Sequence, residues 1–236
     1  DIEPAIVQKL REAAPAVALG KQWSIKRLDE NAITLDFCRY KTENEPFGHD
    51  MTYTRRVHAD VCSQPQGTEF QLHYEFRTDF VPEEGRRMFL VMERFGDFDV
   101  KVNGKLLDKG KDDGIWRDIS WRKIDIAAHV RKGKNTVSLY SVVKPDLEIE
   151  SVYIIGDFAV KMQKGPKFTL TTESGAAKSG DLTKQGFPFY AGSVVLQQSV
   201  NLTPAEGTDA YLQLDGLNAC LADVTVNGWN VGPIYF

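Results

Sequence analysis

The chain contains the stretch Asp99-Val-Lys-Val-Asn-Gly104 and repeats it, with one substitution, as Asp223-Val-Thr-Val-Asn-Gly228. Each copy has the alternating pattern of a short strand and ends in Asn-Gly. This dipeptide is a strong signal for a tight β-hairpin, because both turn residues can adopt positive φ. The same 124-residue offset aligns residues 70–76 with residues 194–200. Two aligned strands at one offset indicate two copies of one β-structure.

Strand-like alternation continues over most of the chain outside this repeat. The clearest example is the segment 70–76, where apolar residues alternate with polar ones. Turn residues rich in glycine, proline and asparagine separate such segments at intervals of about 8–12 residues, as in antiparallel sandwiches and barrels. No amphipathic helix is predicted after residue 20, which excludes a parallel α/β fold. We therefore predict an all-β protein.

The repeat also predicts the domain organisation. Residues 1–20 are predicted to form a short helix or linker, followed by a complete β-sandwich over 21–165 and the first part of a second over 166–236. Only eight residues follow the second Asn-Gly. Half a sandwich exposes an apolar face and unpaired strand edges. We therefore expect the chain to be part of a longer protein, or to receive the missing strands from another chain.

The composition is that of an ordinary globular protein. It has 29 basic and 33 acidic side chains, a net charge of −4 and 42% hydrophobic residues. The average charge content argues against disorder, and no apolar run approaches the roughly 18 residues of a membrane span. The basic residues near 101–111 and 131–134 are mixed with acidic ones and lack the interleaved aromatics of a nucleic-acid groove. We expect neither nucleic acid nor membrane as a partner.

Motifs for metal, cofactor and nucleophile chemistry are missing from the sequence. The cysteines Cys38, Cys62 and Cys220 form no C-x-x-C pair and are expected to be small apolar residues, with one disulfide left open. The histidines lack zinc-site spacing, and no serine-hydrolase or P-loop signature is present. The segment 108–114 faintly resembles a calcium loop, but its twelfth position is Ile119 instead of glutamate. We predict no cofactor and leave a structural calcium ion open.

Aromatic residues provide the candidate ligand site. A sugar ring packs its C–H face on an aromatic plane, while its hydroxyls need charged or amide partners. Loops at one end of a sandwich often carry such contacts, and residues 113–121 are predicted to form a loop of this kind. The predicted stacking residues are Trp116 and Trp121, and the predicted hydrogen-bonding residues are Asp113, Arg117 and Asp118. Alternatively, both tryptophans cap the core or pack against a neighbouring domain.

Glu148 and Glu150 form the candidate catalytic pair. On a predicted strand they would share one face at about 7 Å between Cα atoms. This is compatible with glycosidase carboxylates, which stand about 5–5.5 Å or 6.5–9.5 Å apart. Any two acidic residues so spaced on a solvent-facing strand meet the same condition. We therefore predict a solvated strand face and assign no catalytic residue.

Several motifs carry a resemblance to a known family. The sequence resembles the galactose-binding-like jelly-roll domains that accompany glycoside hydrolases. It is similar to the sugar-binding β-sandwich of glycoside hydrolase family 2 and to the sandwiches of large α-L-rhamnosidase-like enzymes. The matching segments lie within residues 65–236 and are Val100–Gly104, Ile124–Ile126, Val130–Gly133, Asn135–Val137, Leu147–Phe158 and Gln185–Gly192.

The resemblance implies a repeated jelly-roll sandwich with a truncated second copy. It further implies a non-catalytic accessory region, carbohydrate-binding or structural, in a large glycoside hydrolase that is secreted or periplasmic. The implied partners are carbohydrate and the catalytic domain of the same protein. Two alternatives remain open: a hydrolase fragment that uses Glu148 and Glu150, and a purely structural spacer or interaction domain. Nothing in the chain matches a catalytic barrel.

Overall fold

The computed structural model describes residues 17–43, 45–48, 50–163, 167–203, 206–207, 211–214 and 216–235. The chain divides into two compact units, one ending at Gln198 and one beginning at Ser199. The described residues form mainly β-strands, so the prediction of an all-β protein is confirmed. The predicted helix over 1–20 falls largely outside the described residues. No described helix has the length and apolar character needed to cross a membrane.

The described part of the first unit contains one α-helix and sixteen strands. The helix is α1 (Thr54–Cys62). The strands are β1 (Gln22–Arg27), β2 (Asn31–Leu35), β3 (Phe37–Thr42), β4 (Thr52–Tyr53), β5 (Glu69–Thr78), β6 (Met88–Met92), β7 (Asp99–Val102), β8 (Lys105–Leu106), β9 (Ile115–Trp116), β10 (Asp118–Asp125), β11 (Gly133–Val142), β12 (Val152–Gly156), β13 (Ala159–Met162), β14 (Phe168–Thr171), β15 (Ala176–Lys178) and β16 (Val194–Gln197).

Two sheets of this unit pack face to face as a β-sandwich. The smaller sheet has the order β2-β12-β6-β10-β9, and the larger runs β13-β14-β5-β11-β7-β8, with β3 and β4 attached through β5. Alternate side chains of both sheets meet in one core, for example Leu90 and Ile154 against Leu72 and Leu139. This alternation follows from the two-residue period of a strand. The larger sheet is held by ten consecutive β5–β11 pairs, from Glu69↔Val142 to Thr78↔Gly133.

A third sheet joins the two ends of the first unit. Its order is β15-β1-β16, so β1 pairs with strands that lie far along the chain. The segment 168–171 also belongs to this unit, because β14 pairs with β5. The compact unit thus extends to Gln198, beyond the boundary near residue 166 that the repeat suggested. That residues 166–236 begin a second sandwich stays a prediction.

Both Asn-Gly sequences form the hairpin turns expected of them. Asn103 and Gly104 have φ of 49° and 81° between β7 and β8. In the second unit, β17 (Leu221–Val226) and β18 (Trp229–Tyr235) flank Asn227 and Gly228, with φ of 50° and 84°. Positive φ at both central residues is what a type I′ turn requires. The repeat therefore extends to the backbone conformation of the turn.

The prediction of no helix beyond residue 20 is wrong, because α1 lies at Thr54–Cys62. Its buried face consists of Thr54, Val57 and Val61, at the three- and four-residue spacing of a helix. Two valines, both modest helix formers, give too short an amphipathic signal to recognise in the sequence. The helix is fixed by tertiary contacts, since the Thr54 hydroxyl and backbone N–H both donate to the Asp36 carbonyl at 2.8 Å.

The three cysteines are free thiols that differ in exposure. Cys38 is fully buried, whereas Cys62 and Cys220 are exposed. Burial raises the pKa of the Cys38 thiol to about 12, and only the thiolate reacts with disulfide reagents. We expect an aromatic disulfide reagent at pH 8 to label two thiols in the folded protein and the third only after unfolding. Cys38→Ser should remove the late phase alone. Rapid labelling of three thiols in the native state would contradict this assignment.

Candidate functional site

The outer face of the five-stranded sheet carries a cluster of half-buried aromatic side chains. This aromatic patch consists of Phe89, Trp116, Trp121 and Tyr153. It packs on Ala32, Val91 and Ile155, which are buried but separate from the main core. The alternation of strand residues explains the arrangement: the neighbours of Phe89 and Tyr153 in sequence point into the sandwich, and these two rings point away from it.

Three rings of the patch contact one another. The Trp116 and Trp121 rings stack with centroids 5.4 Å apart and an interplanar angle of 22°. Tyr153 lies 4.8 Å from Trp121 and 5.7 Å from Trp116, between ring centroids. Trp116 lies in β9, Trp121 in β10 and Tyr153 in β12, so sheet pairing brings Tyr153 to two tryptophans that are distant from it in sequence. Their positions are fixed by strands, which hold side chains more firmly than loops do.

Carboxylates border one side of the patch. The indole Nε1 of Trp121 donates a hydrogen bond to Glu93 Oε1 at 2.8 Å. This contact follows from strand register, because Arg122 pairs with Met92 and the preceding residue therefore lies opposite Glu93. The pKa of Tyr153 is raised by burial first, and then by the negative charges of Asp36, Glu150 and Glu93. The surroundings of Tyr153 are therefore electronegative.

Two cations also lie against rings of the patch. The Arg117 guanidinium lies 5.2 Å from the Trp116 ring centroid, and it also donates to the Ala191 carbonyl. The Lys123 ammonium lies 4.7 Å from the Phe89 ring centroid. Both distances are in the range of cation–π interactions. The patch thus has both a hydrogen-bond acceptor, Glu93, and two cationic donors, Arg117 and Lys123, against its rings.

The structure brings together three of the five predicted site residues, namely Trp116, Trp121 and Arg117. The carboxylates of the other two are used in local hydrogen bonds. Asp113 Oδ2 accepts from the Asp125 backbone N–H at 2.7 Å. Asp118 Oδ1 accepts from the backbone N–H and hydroxyl of Ser120, which lowers the pKa of Asp118. Neither aspartate is among the groups that border the aromatic rings.

The prediction that both tryptophans lie in a loop at the end of the sandwich is wrong. Trp116 lies in β9 and Trp121 in β10, at the edge of the five-stranded sheet. The chain turns between these strands at Arg117, whose φ is 63°. β9 has only two residues, and the β9–β10 register is irregular between Asp118 and Arg122. The segment therefore shows little of the alternation of apolar and polar residues that marks a strand. This is why the segment reads as a loop.

Sequence reasoning missed Phe89, Glu93, Lys123 and Tyr153. Phe89, Lys123 and Tyr153 lie in strands, and Glu93 directly follows β6. Phe89 and Tyr153 face outward between buried neighbours. What the sequence does not contain is the order β12-β6-β10, which places these strands side by side. Outward-facing aromatics on predicted strands were the one available signal.

The structure places Glu148 and Glu150 outside any strand, so their prediction as strand residues is wrong. They are exposed on the extended segment before β12 and flank the buried Ile149. The cavity beside them has a volume of about 10 Å³ and is also lined by Glu93 and Ser151. A space of this size holds about one water molecule. The cavity beside Glu148 and Glu150 is therefore too small for a sugar, which argues against their use as a hydrolytic pair.

The segment 108–114 forms a polar turn. Asp108 Oδ1 accepts from the Gly110 N–H and Asp112 Oδ1 from the Gly114 N–H, both at 2.9 Å. Asp112 also forms an ion pair with Arg122 at 2.8 Å. Within the described residues there is no group of three His, Cys, Asp or Glu side chains placed to hold a metal ion. A structural calcium ion stays an untested prediction, as does the expectation of no cofactor.

No family model and no curated protein matches the chain. Among solved structures, the chain is similar to a β-D-glucuronidase from Dictyoglomus thermophilum, with 16% sequence identity and a TM-score of 0.38. The match covers 59% of this chain and 31% of that one.

Proposed function

We propose that this chain is an accessory β-sandwich region of a glycoside hydrolase and that it binds carbohydrate at the aromatic patch. The observation that carries the proposal is the contact of Trp116, Trp121 and Tyr153 on one outer sheet face. The rings are half-buried, which leaves part of their surface to solvent. Aromatic surface bordered by both acceptors and donors fits the amphipathic chemistry of a sugar ring.

In the proposed binding mode, the sugar is held by stacking and by hydrogen bonds. The C–H face of a pyranose ring packs against Trp121 and Tyr153. The Glu93 carboxylate accepts hydrogen bonds from sugar hydroxyls, and the Arg117 guanidinium donates them. Because the rings are fixed by mutual contacts and by strand pairing, little ordering entropy is lost on binding.

The role is proposed to be non-catalytic. Glu148 and Glu150 stand exposed beside a cavity of about 10 Å³, whereas glycoside hydrolysis needs two carboxylates on opposite sides of a bound sugar. The chain would then contribute binding or support to a catalytic domain elsewhere in the same protein.

A second candidate is a structural role in which the aromatic patch packs against another domain. One observation favours it: the Trp116 ring already contacts the Trp121 ring and the Arg117 guanidinium, so part of its surface is covered within the chain. Under this hypothesis, the chain does not bind glycans, and substitutions in the aromatic patch weaken its association with the neighbouring domain.

The proposal is tested with a glycan array followed by calorimetry on the glycans that bind. We expect Trp121→Ala to weaken binding about tenfold, because it removes a stacking ring worth about 1.4 kcal/mol. Trp23→Ala is the matched control, since Trp23 lies in β1 and its indole donates to Ser179 Oγ at 3.0 Å. Circular dichroism checks that both variants fold. Absence of binding to every glycan, or equal affinity of Trp121→Ala and the parent, would refute carbohydrate binding at this patch.

A further inference from the structure

The β17–β18 hairpin exposes apolar side chains. Val226 is 45% exposed and Trp229 is 80% exposed. Among the described residues of this unit, β17 pairs with β18 on one edge and with no strand on the other. A strand with one free edge and exposed apolar side chains is ready to pair with a further strand.

The first copy of the repeat shows which strands pair with the corresponding strand there. β7 lies between β8 and β11, and its Val100 and Val102 are 0% exposed. The residues at the same repeat positions in β17 are Val224 and Val226, of which the first is half-buried and the second exposed. Among the described residues, β17 therefore has β18 in the position of β8 and no strand in the position of β11.

The turn asparagine supplies a second, independent observation. In the first copy Asn103 Nδ2 donates to Asn135 Oδ1 at 2.7 Å, and Asn103 Oδ1 accepts from the Thr136 N–H at 3.0 Å. These bonds fasten the turn to the start of β11. The equivalent Asn227 has the same backbone conformation, but its side chain has no hydrogen-bond partner among the residues that the structure describes.

The repeat also aligns β16 with β5, which is the other neighbour of β11 in the first copy. β16 is likewise an edge strand of its own sheet. Within the described part of each unit, β16 and β17 each have one edge without a paired strand.

We propose that β17 binds an extended segment of the β11 sequence type, Gly-x-Asn-x-Val-x-Leu, in antiparallel orientation. The first copy predicts the register, because Val102 pairs with Val137 and Val100 with Leu139. Val226 then lies opposite the valine of the segment and Val224 opposite its leucine. The asparagine of the segment accepts a hydrogen bond from Asn227. The occupant is a partner segment with this pattern, since residues 133–139 already pair with β5 and β7.

The test attaches a second copy of Gly133–Val142 after Phe236 through a flexible Gly/Ser linker. Tethering brings the segment to an effective concentration of about millimolar. Hydrogen exchange of the β17 amides is the measurement, and we expect it to slow at least tenfold relative to the untethered chain. In the control fusion, serine replaces the two residues that correspond to Val137 and Leu139. Combining Asn227→Ala with the active fusion should return exchange toward the control by roughly 2- to 10-fold, the effect of one lost hydrogen bond. Asn218→Ala, an exposed asparagine of the same unit, should have no effect.

Two outcomes would overturn the proposal. One is equal exchange of the β17 amides in the active and control fusions. The other is a dimer of the untethered chain with β17 already protected, which would make a second copy the occupant. If Asn227→Ala leaves the protection of the β17 amides unchanged in the active fusion, the proposed asparagine contact and the proposed register are both wrong.

Discussion

Gly156→Ala is expected to lower the free energy of unfolding by about 3 kcal/mol or more. Gly156 is in β12 with φ of 150°, and a Cβ atom there would lie 2.2 Å from the Arg87 carbonyl oxygen and 3.0 Å from Met88 Cα. Both obstacles are backbone atoms of the neighbouring strand region. The Arg87 carbonyl cannot move away from an added Cβ without loss, because it also accepts a hydrogen bond from the Asp157 N–H at 3.0 Å.

Gly85→Ala is the matched control for this steric argument. Gly85 also has positive φ, 81°, but a Cβ atom at this position would meet nothing within 4 Å. Its replacement is expected to cost about 1 kcal/mol from backbone strain alone. Chemical denaturation of both variants measures the difference. Equal losses in the two variants would show that the close approach to Arg87 does not constrain β12.

Asn135→Ala is expected to lower the free energy of unfolding by about 2–4 kcal/mol. Asn135 is fully buried at the start of β11. Its Oδ1 accepts from the Arg131 N–H at 2.9 Å and from Asn103 Nδ2 at 2.7 Å, while its Nδ2 donates to the Arg131 carbonyl at 2.7 Å. Truncation leaves these partly buried groups without a partner, which costs more than the bonds themselves contribute.

Denaturant midpoints of Asn135→Ala and of Asn201→Ala measure this loss. Asn201 is exposed, so its replacement is expected to change stability by less than about 0.5 kcal/mol. Asn135→Asp places a buried carboxylate against the Arg131 carbonyl oxygen that the amide now contacts, so at neutral pH it should lose at least as much stability as Asn135→Ala. A loss below about 0.5 kcal/mol for Asn135→Ala would mean that water replaces the missing amide.

Local signals in the sequence predicted the backbone well. The Asn-Gly turns at Asn103 and Asn227 depend only on which residues tolerate positive φ, and both form as expected. The same holds for β5, whose alternation over 70–76 is present in the residues themselves. By contrast, α1 has two buried valines on nine residues and owes its position to the Asp36 carbonyl, so nothing local distinguishes it.

The candidate site could be predicted only in part. Trp116, Arg117 and Trp121 are close in sequence, and a composition argument finds them. Tyr153 reaches the same patch because β12 and β10 both pair with β6, and that order is a property of the whole sheet. The local hydrogen bonds of Asp113 and Asp118 could not be predicted either, because they depend on the backbone geometry of the turns and not on composition.

The third sheet has a consequence for synthesis on the ribosome. β1 ends at Arg27, but its partners begin only at Ala176 and Val194. About 150 residues must be translated between them, which takes roughly 7–30 s at ordinary elongation rates. During this interval both edges of β1 remain open on a nascent chain. Lys26 and Arg27 place two positive charges at the end of β1. Charged residues on an unpaired strand disfavour its pairing with other nascent chains.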